Sequence, residues 1–377
     1  MPFRPPAHIE HETCTLVFDQ ARKALGQGTL GIVYKASCVG EHVSACAVKF
    51  APLTSRDEAS NFLGELLCLR ALSSVPGSDK HVACPLLSTS IVHAGTQLWG
   101  LFAMPLGIDA TSYVNKRLVN ESPTLRAIVG ARITAAVARN LAFVHEHGFM
   151  HADVKPSNAI IVSECPMETR LVDWNLSCTT RSMTTRDVSR LYTETLEALG
   201  ASKRRRGKED DVYEHVRHHN ARELREALEC VSMSAQRKYI TEPYAFFPLR
   251  DLADIMVSRV MAMPDIAADE WSTVFAQFRD IYSLGIFYLL VITSTPERER
   301  LYDDALQHEN RRNPDSTALR AFVAEQCDDD CHVRLPRACV LDVLSANEAC
   351  LERPRDLLAR AMRALDACGA LTTSLEK

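Results

Sequence analysis

Two spacings of apolar residues divide the chain. In the first hundred residues they come in short β-forming runs: IVYKA (32–36) and SACAVKF (44–50) flank a turn at Gly40-Glu41 and read as paired strands. Phe62, Leu66 and Leu69 then recur at i, i+4, i+7, and Ser55 with Glu58 has the form of a capping box, so a helix of about four turns is predicted there. Two further strands are expected near His81–His93 and Gln97–Met104. From Leu125 onward the spacing is helical, with Ile133, Val137, Leu141 and Val144 on one stripe and a glycine C-cap at Gly148. Residues 159–162 and 170–172 read as a short hairpin. IYSLGIFYLLVI (281–292) reads as a helix buried on all sides, being shorter than the about 20 residues a bilayer requires.

Composition narrows the class. A chain of 377 residues can bury two packed lobes, and a net charge of −5 with 24% charged and 46% hydrophobic residues is that of an ordinary globular protein. That balance argues against nucleic acid or a membrane as partner. The thirteen cysteines contain no CxxC pair, and the first residues form no leader, so reduced thiols in an intracellular, cytoplasmic or nuclear setting are expected. Cys327, Cys331 and His332 have a spacing a metal could use, but no second ligand pair follows, which favours plain reduced cysteines.

Several polar residues stand out against this pattern. Gly26, Gly28 and Gly31 have a GxGxxG spacing, which serves either a simple β-hairpin or a loop whose amides approach phosphate. A dinucleotide fold would open a helix at the third glycine; here a strand follows. Lys49 ends the second strand, where a lone lysine is usually a solvated edge residue, and Glu65 borders the apolar face of the first helix, either as a flank residue or as the partner of a buried lysine. FMHADVKPSNAII (149–161) crowds His151, Asp153, Lys155 and Asn158 between a helix and a β-branched run, and Asp173 closes the hairpin that follows. A carboxylate, a cation and an amide in one short loop suit a charged ligand.

In this order, the set resembles the eukaryotic-type protein kinase family: a Gly-rich hairpin, a strand lysine, a helix glutamate, a catalytic loop and a metal-binding aspartate. The resemblance runs from about residue 20 to 293. It implies an α+β, bilobal kinase fold with a small β-rich N-lobe (20–106) and a larger helical C-lobe (107–377), preceded by an N-terminal extension (1–19). By the same resemblance Gly26, Gly28, Gly31 and Val33 cover the ATP phosphates, Lys49 holds them and Glu65 pairs with Lys49. Asp153 is then the catalytic base and Lys155 the lysine near the γ-phosphate, with Asn158 and Asp173 as ligands of Mg2+. Met104-Pro105-Leu106 falls at the adenine-contacting hinge, and Asp280 at the aspartate that steadies the catalytic loop from below.

The departures bear on function. Ala152 replaces the arginine before the catalytic aspartate, which removes a partner for an activation-loop phosphate. Asn175 stands where a glycine is usual, and asparagine tolerates left-handed backbone, so the turn can be kept. Met263-Pro264-Asp265 matches the end of the activation segment, with Ser258 at the threonine that touches the loop, leaving an insertion near 180–250. That insertion carries a probable helix at 219–231 and the basic run KRRRGK (203–208), open to reading as a solvated loop, a nuclear-import signal or a docking patch. Compactness, drift and insertion resemble kinases of large DNA viruses. Lys155-Pro156-Ser157-Asn158 fits the Ser/Thr branch, which implies a serine/threonine kinase with ATP and Mg2+ as cofactors and proteins as substrates; the alternative is a pseudokinase scaffold. The residues leave the oligomeric state open.

Overall fold

A computed structural model describes residues 3–179, apart from breaks at 12–13, 20–22, 29–30, 41–43, 55, 88–89 and 95–96, together with 271–292 and 354–370. The expectations for residues 180–250, Ser258, Met263-Pro264-Asp265 and Cys327–His332 lie outside the described residues. The described chain forms two compact units, one holding residues 3–79 and 83–107, the other 80–82, 108–179, 271–292 and 354–370. The expected fold class is what they show: a β-rich first unit and a helical second one.

In the first unit the strands are β1 (His8–Glu10), β2 (Thr15–Phe18), β3 (Ala24–Gly28), β4 (Gly31–Val39), β5 (Ser44–Pro52), β6 (Ser90–Ala94) and β7 (Gln97–Pro105), with helix α1 (Arg56–Ser73) after β5. They pair antiparallel in the order β1-β2-β4-β5-β7-β6, with β3 also on β4. Inward residues alternate along β4 as Ile32, Tyr34 and Ala36, the period-2 pattern that one covered face requires. Residues 3–18, read as an extension, add β1, β2 and Phe3 to this sheet. Phe3 stacks on Trp99 at 4.1 Å and packs against Phe50 at 4.9 Å, while Tyr34 Oη donates to the Phe3 carbonyl at 2.7 Å.

From Cys46 to Ala51 β5 is buried on both faces, so α1 must cover the side opposite Phe50. The ring of Phe62 of α1 reaches over Gly100 of β7, where a Cβ would stand 2.5 Å from it, and stacks with Phe102 at 6.1 Å. The strand expected from His81 begins only at Ser90. Pro85 has no amide hydrogen for a ladder, and Leu86 N instead donates to the Ala103 carbonyl at 2.8 Å. Glu58 accepts from the Thr54 amide at 2.9 Å and ties down the chain entering α1; Ser55, the other half of the expected capping box, lies outside the described residues.

The second unit comprises β8 (Ile108–Asp109), α2 (Ala110–Tyr113), α3 (Pro123–Glu146), β9 (Phe149–Met150), β10 (Ala159–Glu164), β11 (Met167–Leu171), β12 (Cys178–Thr179), α4 (Trp271–Ile292) and α5 (Pro354–Ala370). Ser122 caps α3, its hydroxyl accepting from Leu125 N at 3.2 Å, and proline occupies the first turn. The stripe Ile133, Val137, Leu141, Val144 is fully buried. By length and composition Thr124–Glu146 would pass for a membrane span, but most of it is buried inside this unit. Gly130 and two alanines let α4 and α5 close on α3: Ala131 and Ala135 cluster with Tyr288 and Leu365, and Ile292 lies over Gly130. Strands pair β11-β10-β8 and, separately, β12-β9. The hairpin β10–β11 thus delivers the segment before Asp173 beside the loop that follows β9.

Gly100→Ala is expected to lower stability by about 1–3 kcal/mol, because the added methyl overpacks Phe62. Phe62→Leu in the same chain should recover part of that loss in urea denaturation.

Candidate functional site

The sequence-derived residues form two groups, one in each unit. In the first, Gly26 and Gly28 lie on β3, and Gly31 opens β4 at a place where a Cβ would run into the Phe50 carbonyl. At Gly26 and Gly28, by contrast, an added Cβ meets nothing within 4 Å. Packing therefore explains glycine at 31 only; at 26 and 28 its absence of a side chain keeps backbone amides open to close approach. Val33 pairs with Lys49 across β4 and β5.

Lys49 Nζ reaches both Glu65 oxygens, at 2.8 and 2.6 Å. Both residues are buried, so neither is the solvated edge or flank residue that the sequence also allowed. Phe62 places this contact: seated on Gly100, it fixes α1 so that Glu65, three residues on, faces β5. The ammonium also lies 5.9 Å from the Phe102 ring.

In the second unit the loop after β9 is organised around Asp153. Its Oδ2 accepts from Lys155 Nζ and from Asn158 Nδ2, each at 2.7 Å, and Asn158 Nδ2 also donates to the Asp153 carbonyl at 2.9 Å. Oδ1 is buried and has no partner among the described residues. One oxygen is thus tied down by two donors, and the other remains an acceptor aimed away from them. Such a carboxylate is oriented to take a proton from a hydroxyl brought to it. The amide nitrogen of Asn158 is committed to Asp153, which leaves its oxygen as the atom that suits a hard cation.

The loop is held from beneath. Asp280 on α4, completely buried, accepts from His151 N at 2.9 Å, Ala152 N at 2.8 Å and His145 Nε2 at 2.8 Å. Ala152 has φ 62°, a left-handed conformation that strains an alanine, so its amide cannot join a helix or strand and needs this acceptor. Burial alone would raise the Asp280 carboxyl; the His145 hydrogen bond and charge, with the backbone amide of His151, outweigh it and hold the group below its usual range. His151 links the loop to the strand before Asp173: its Nε2 contacts the Val172 carbonyl at 2.9 Å and its Nδ1 takes the Asp153 amide at 3.3 Å. These partners require Nε2 to carry the proton.

Asp173 follows at once, and Val172 N donates to the Asn158 carbonyl at 3.0 Å, which ties the two expected metal ligands to neighbouring backbone. The left-handed residue of this turn is Asp173 itself, at φ 66°. Asn175 has no positive φ, so the backbone argument made for it from sequence does not hold; its side-chain nitrogen donates to Asp173 Oδ1 instead. Trp174 is buried against His151 at 4.6 Å, with Nε1 donating to the Leu171 carbonyl at 3.4 Å.

The protein kinase domain family model matches residues 20–214, more than half of the chain. The chain belongs to the protein kinase family. It is 28% identical over 161 residues to serine/threonine-protein kinase mos of Xenopus laevis, covering 39% of this chain and 40% of that one. With serine/threonine-protein kinase AfsK of Streptomyces coelicolor it shares 28% identity over 159 residues, 41% of this chain and 17% of the other; AfsK of Streptomyces griseus is 26% identical over the same shares. The chain thus spans well under two thirds of each of these relatives.

The sequence reading passed over His145 and the Asn175 side chain. A histidine in the last turn of a helix is a weak signal, and nothing local ties it to an aspartate 135 residues on. Asp280→Asn is expected to remove at least about 3 kcal/mol of stability at neutral pH, since an amide cannot accept from all three donors. The stabilisation of a carboxyl with a lowered folded pKa is present above its unfolded value and lost as pH falls through the folded one. The gap between parent and variant should therefore close in acid denaturation below the ordinary carboxylate range. Lys49→Met strips the buried Glu65 of its ammonium and should cost about 3–5 kcal/mol, and adding Glu65→Leu should restore much of it in thermal unfolding.

Proposed function

We propose that this kinase is an active serine/threonine protein kinase that transfers the γ-phosphoryl group of ATP to protein Ser and Thr hydroxyls. One observation carries the reading: Asp153 keeps a buried carboxylate oxygen with no partner among the described residues, beside one held by Lys155 and Asn158. A scaffold without turnover has no use for an oriented acceptor of that kind, and its desolvation is costly. The Ser/Thr assignment rests on the Lys155-to-Asn158 run and on the names of the three relatives, each a serine/threonine-protein kinase.

The donor set fits the nucleotide and metal that this reading needs. Lys49 supplies a fixed cation for the α- and β-phosphates, Glu65 keeps it in place, and Gly26 and Gly28 offer amides that no side chain screens. Asn158 and Asp173 would hold magnesium, which would supply positive charge against the phosphates. Asp153 orients the substrate hydroxyl and takes its proton, and Lys155 keeps Asp153 Oδ2 engaged so that Oδ1 faces the acceptor. On the same reading residues 20–106 and 107–377 are the two lobes, with an insertion near 180–250, and the protein works inside a cell. The likeness to kinases of large DNA viruses stays part of the proposal and draws nothing from the frog and streptomycete relatives.

The pseudokinase reading has in its favour the departures from the family pattern at Ala152 and Asn175. A radiolabelled γ-phosphate transfer assay on generic protein substrates separates the two. Asp153→Asn should keep nucleotide affinity and lose about 10²- to 10⁴-fold in transfer. A parent chain that binds ATP without regard to magnesium and transfers nothing would make the protein a pseudokinase.

A further inference from the structure

We infer that Asn175 is a positioning residue for Asp173, acting through its side-chain amide and not through its backbone. The inference rests on the proposed role of Asp173 as a metal ligand and adds to it a residue that the family pattern, with glycine at this place, does not contain.

Three observations carry it. The positive φ of the turn belongs to Asp173, so Asn175 is not there to permit a left-handed bend. Its Nδ2 donates to Asp173 Oδ1, and its Oδ1 is buried with no partner among the described residues. Rotating the amide by half a turn would press two oxygens together, so the chemistry of the pair requires nitrogen toward the carboxylate. The turn itself is held on both sides: the Trp174 indole is buried on His151, and the Trp174 carbonyl accepts from Ser177 Oγ at 2.7 Å. Asn175 is therefore presented to Asp173 from a braced segment.

The consequence is orientational. An amide donor on one carboxylate oxygen resists rotation about the Cβ–Cγ bond while leaving the negative charge in place, so the carboxylate is preset for a hard cation. Glycine would leave that rotation to be frozen when the cation binds.

The test measures metal directly. Manganese(II) is titrated into the full chain saturated with a non-hydrolysable ATP analogue, free manganese is read by electron paramagnetic resonance, and analogue affinity without metal is measured by calorimetry. Parent, Asn175→Ala, Asn175→Gly and Asp173→Ala are compared. Asn175→Ala and Asn175→Gly should each weaken manganese binding about 10- to 100-fold, with metal-free analogue affinity and melting temperature unchanged. Manganese binding unchanged or tighter in Asn175→Ala overturns the inference, as does Asn175→Gly matching the parent while Asn175→Ala fails, which would return the role to the backbone. Should Asn175→Ala melt below the parent, Asn175→Gly gives the comparison in its place. Equal manganese binding by the parent and Asp173→Ala would instead sink Asp173 as a ligand, and the inference with it.

Discussion

Asp280 accepts hydrogen bonds from two successive backbone amides and an imidazole, and the loop that carries Asp153 depends on that one carboxylate. A fully buried charge is tolerated only when its lone pairs are met, and a left-handed alanine leaves an amide that no ladder can use. Each need answers the other. With His151 and Ala152 pinned, Asp153 leaves the loop in a set direction, Lys155 and Asn158 return to it, and the His151 ring reaches across to Val172. The segment carrying Asp173 is thereby tied to the one carrying Asp153.

The first unit solves a similar problem with a sheet. Lys49 is carried on a strand buried on both faces, where an unpaired ammonium would be costly, and α1 brings Glu65 to meet it. What lets the helix come close is small: a glycine at 100 under the ring of Phe62. A packing contact between helix and sheet thus sets the geometry of the ion pair.

The departures from the family pattern have physical counterparts. Ala152 meets the strain of its position without a guanidinium, relying on Asp280 for its amide. Asn175 touches the carboxylate two residues before it.

Sequence alone determined the elements and their order. Period-2 and period-3.6 spacings marked β4, β5, α1, α3 and the β10–β11 hairpin, because those spacings follow from backbone geometry that each segment carries in itself. The run 149–161 also declared a charged loop, since four polar functional groups cannot share so short a stretch by packing needs. The start of β6 was misjudged, because one proline's missing donor outweighs apolar content and only the ladder shows which partner it lacks. Tertiary structure decided whether Lys49 and Glu65 were solvated or paired, which oxygen of Asp153 stays open, that His145 serves Asp280, and that Asn175 works by its side chain. Each of these depends on a hydrogen bond whose direction and partner are set by the packing of whole elements, or on a backbone angle that residue identity permits without requiring.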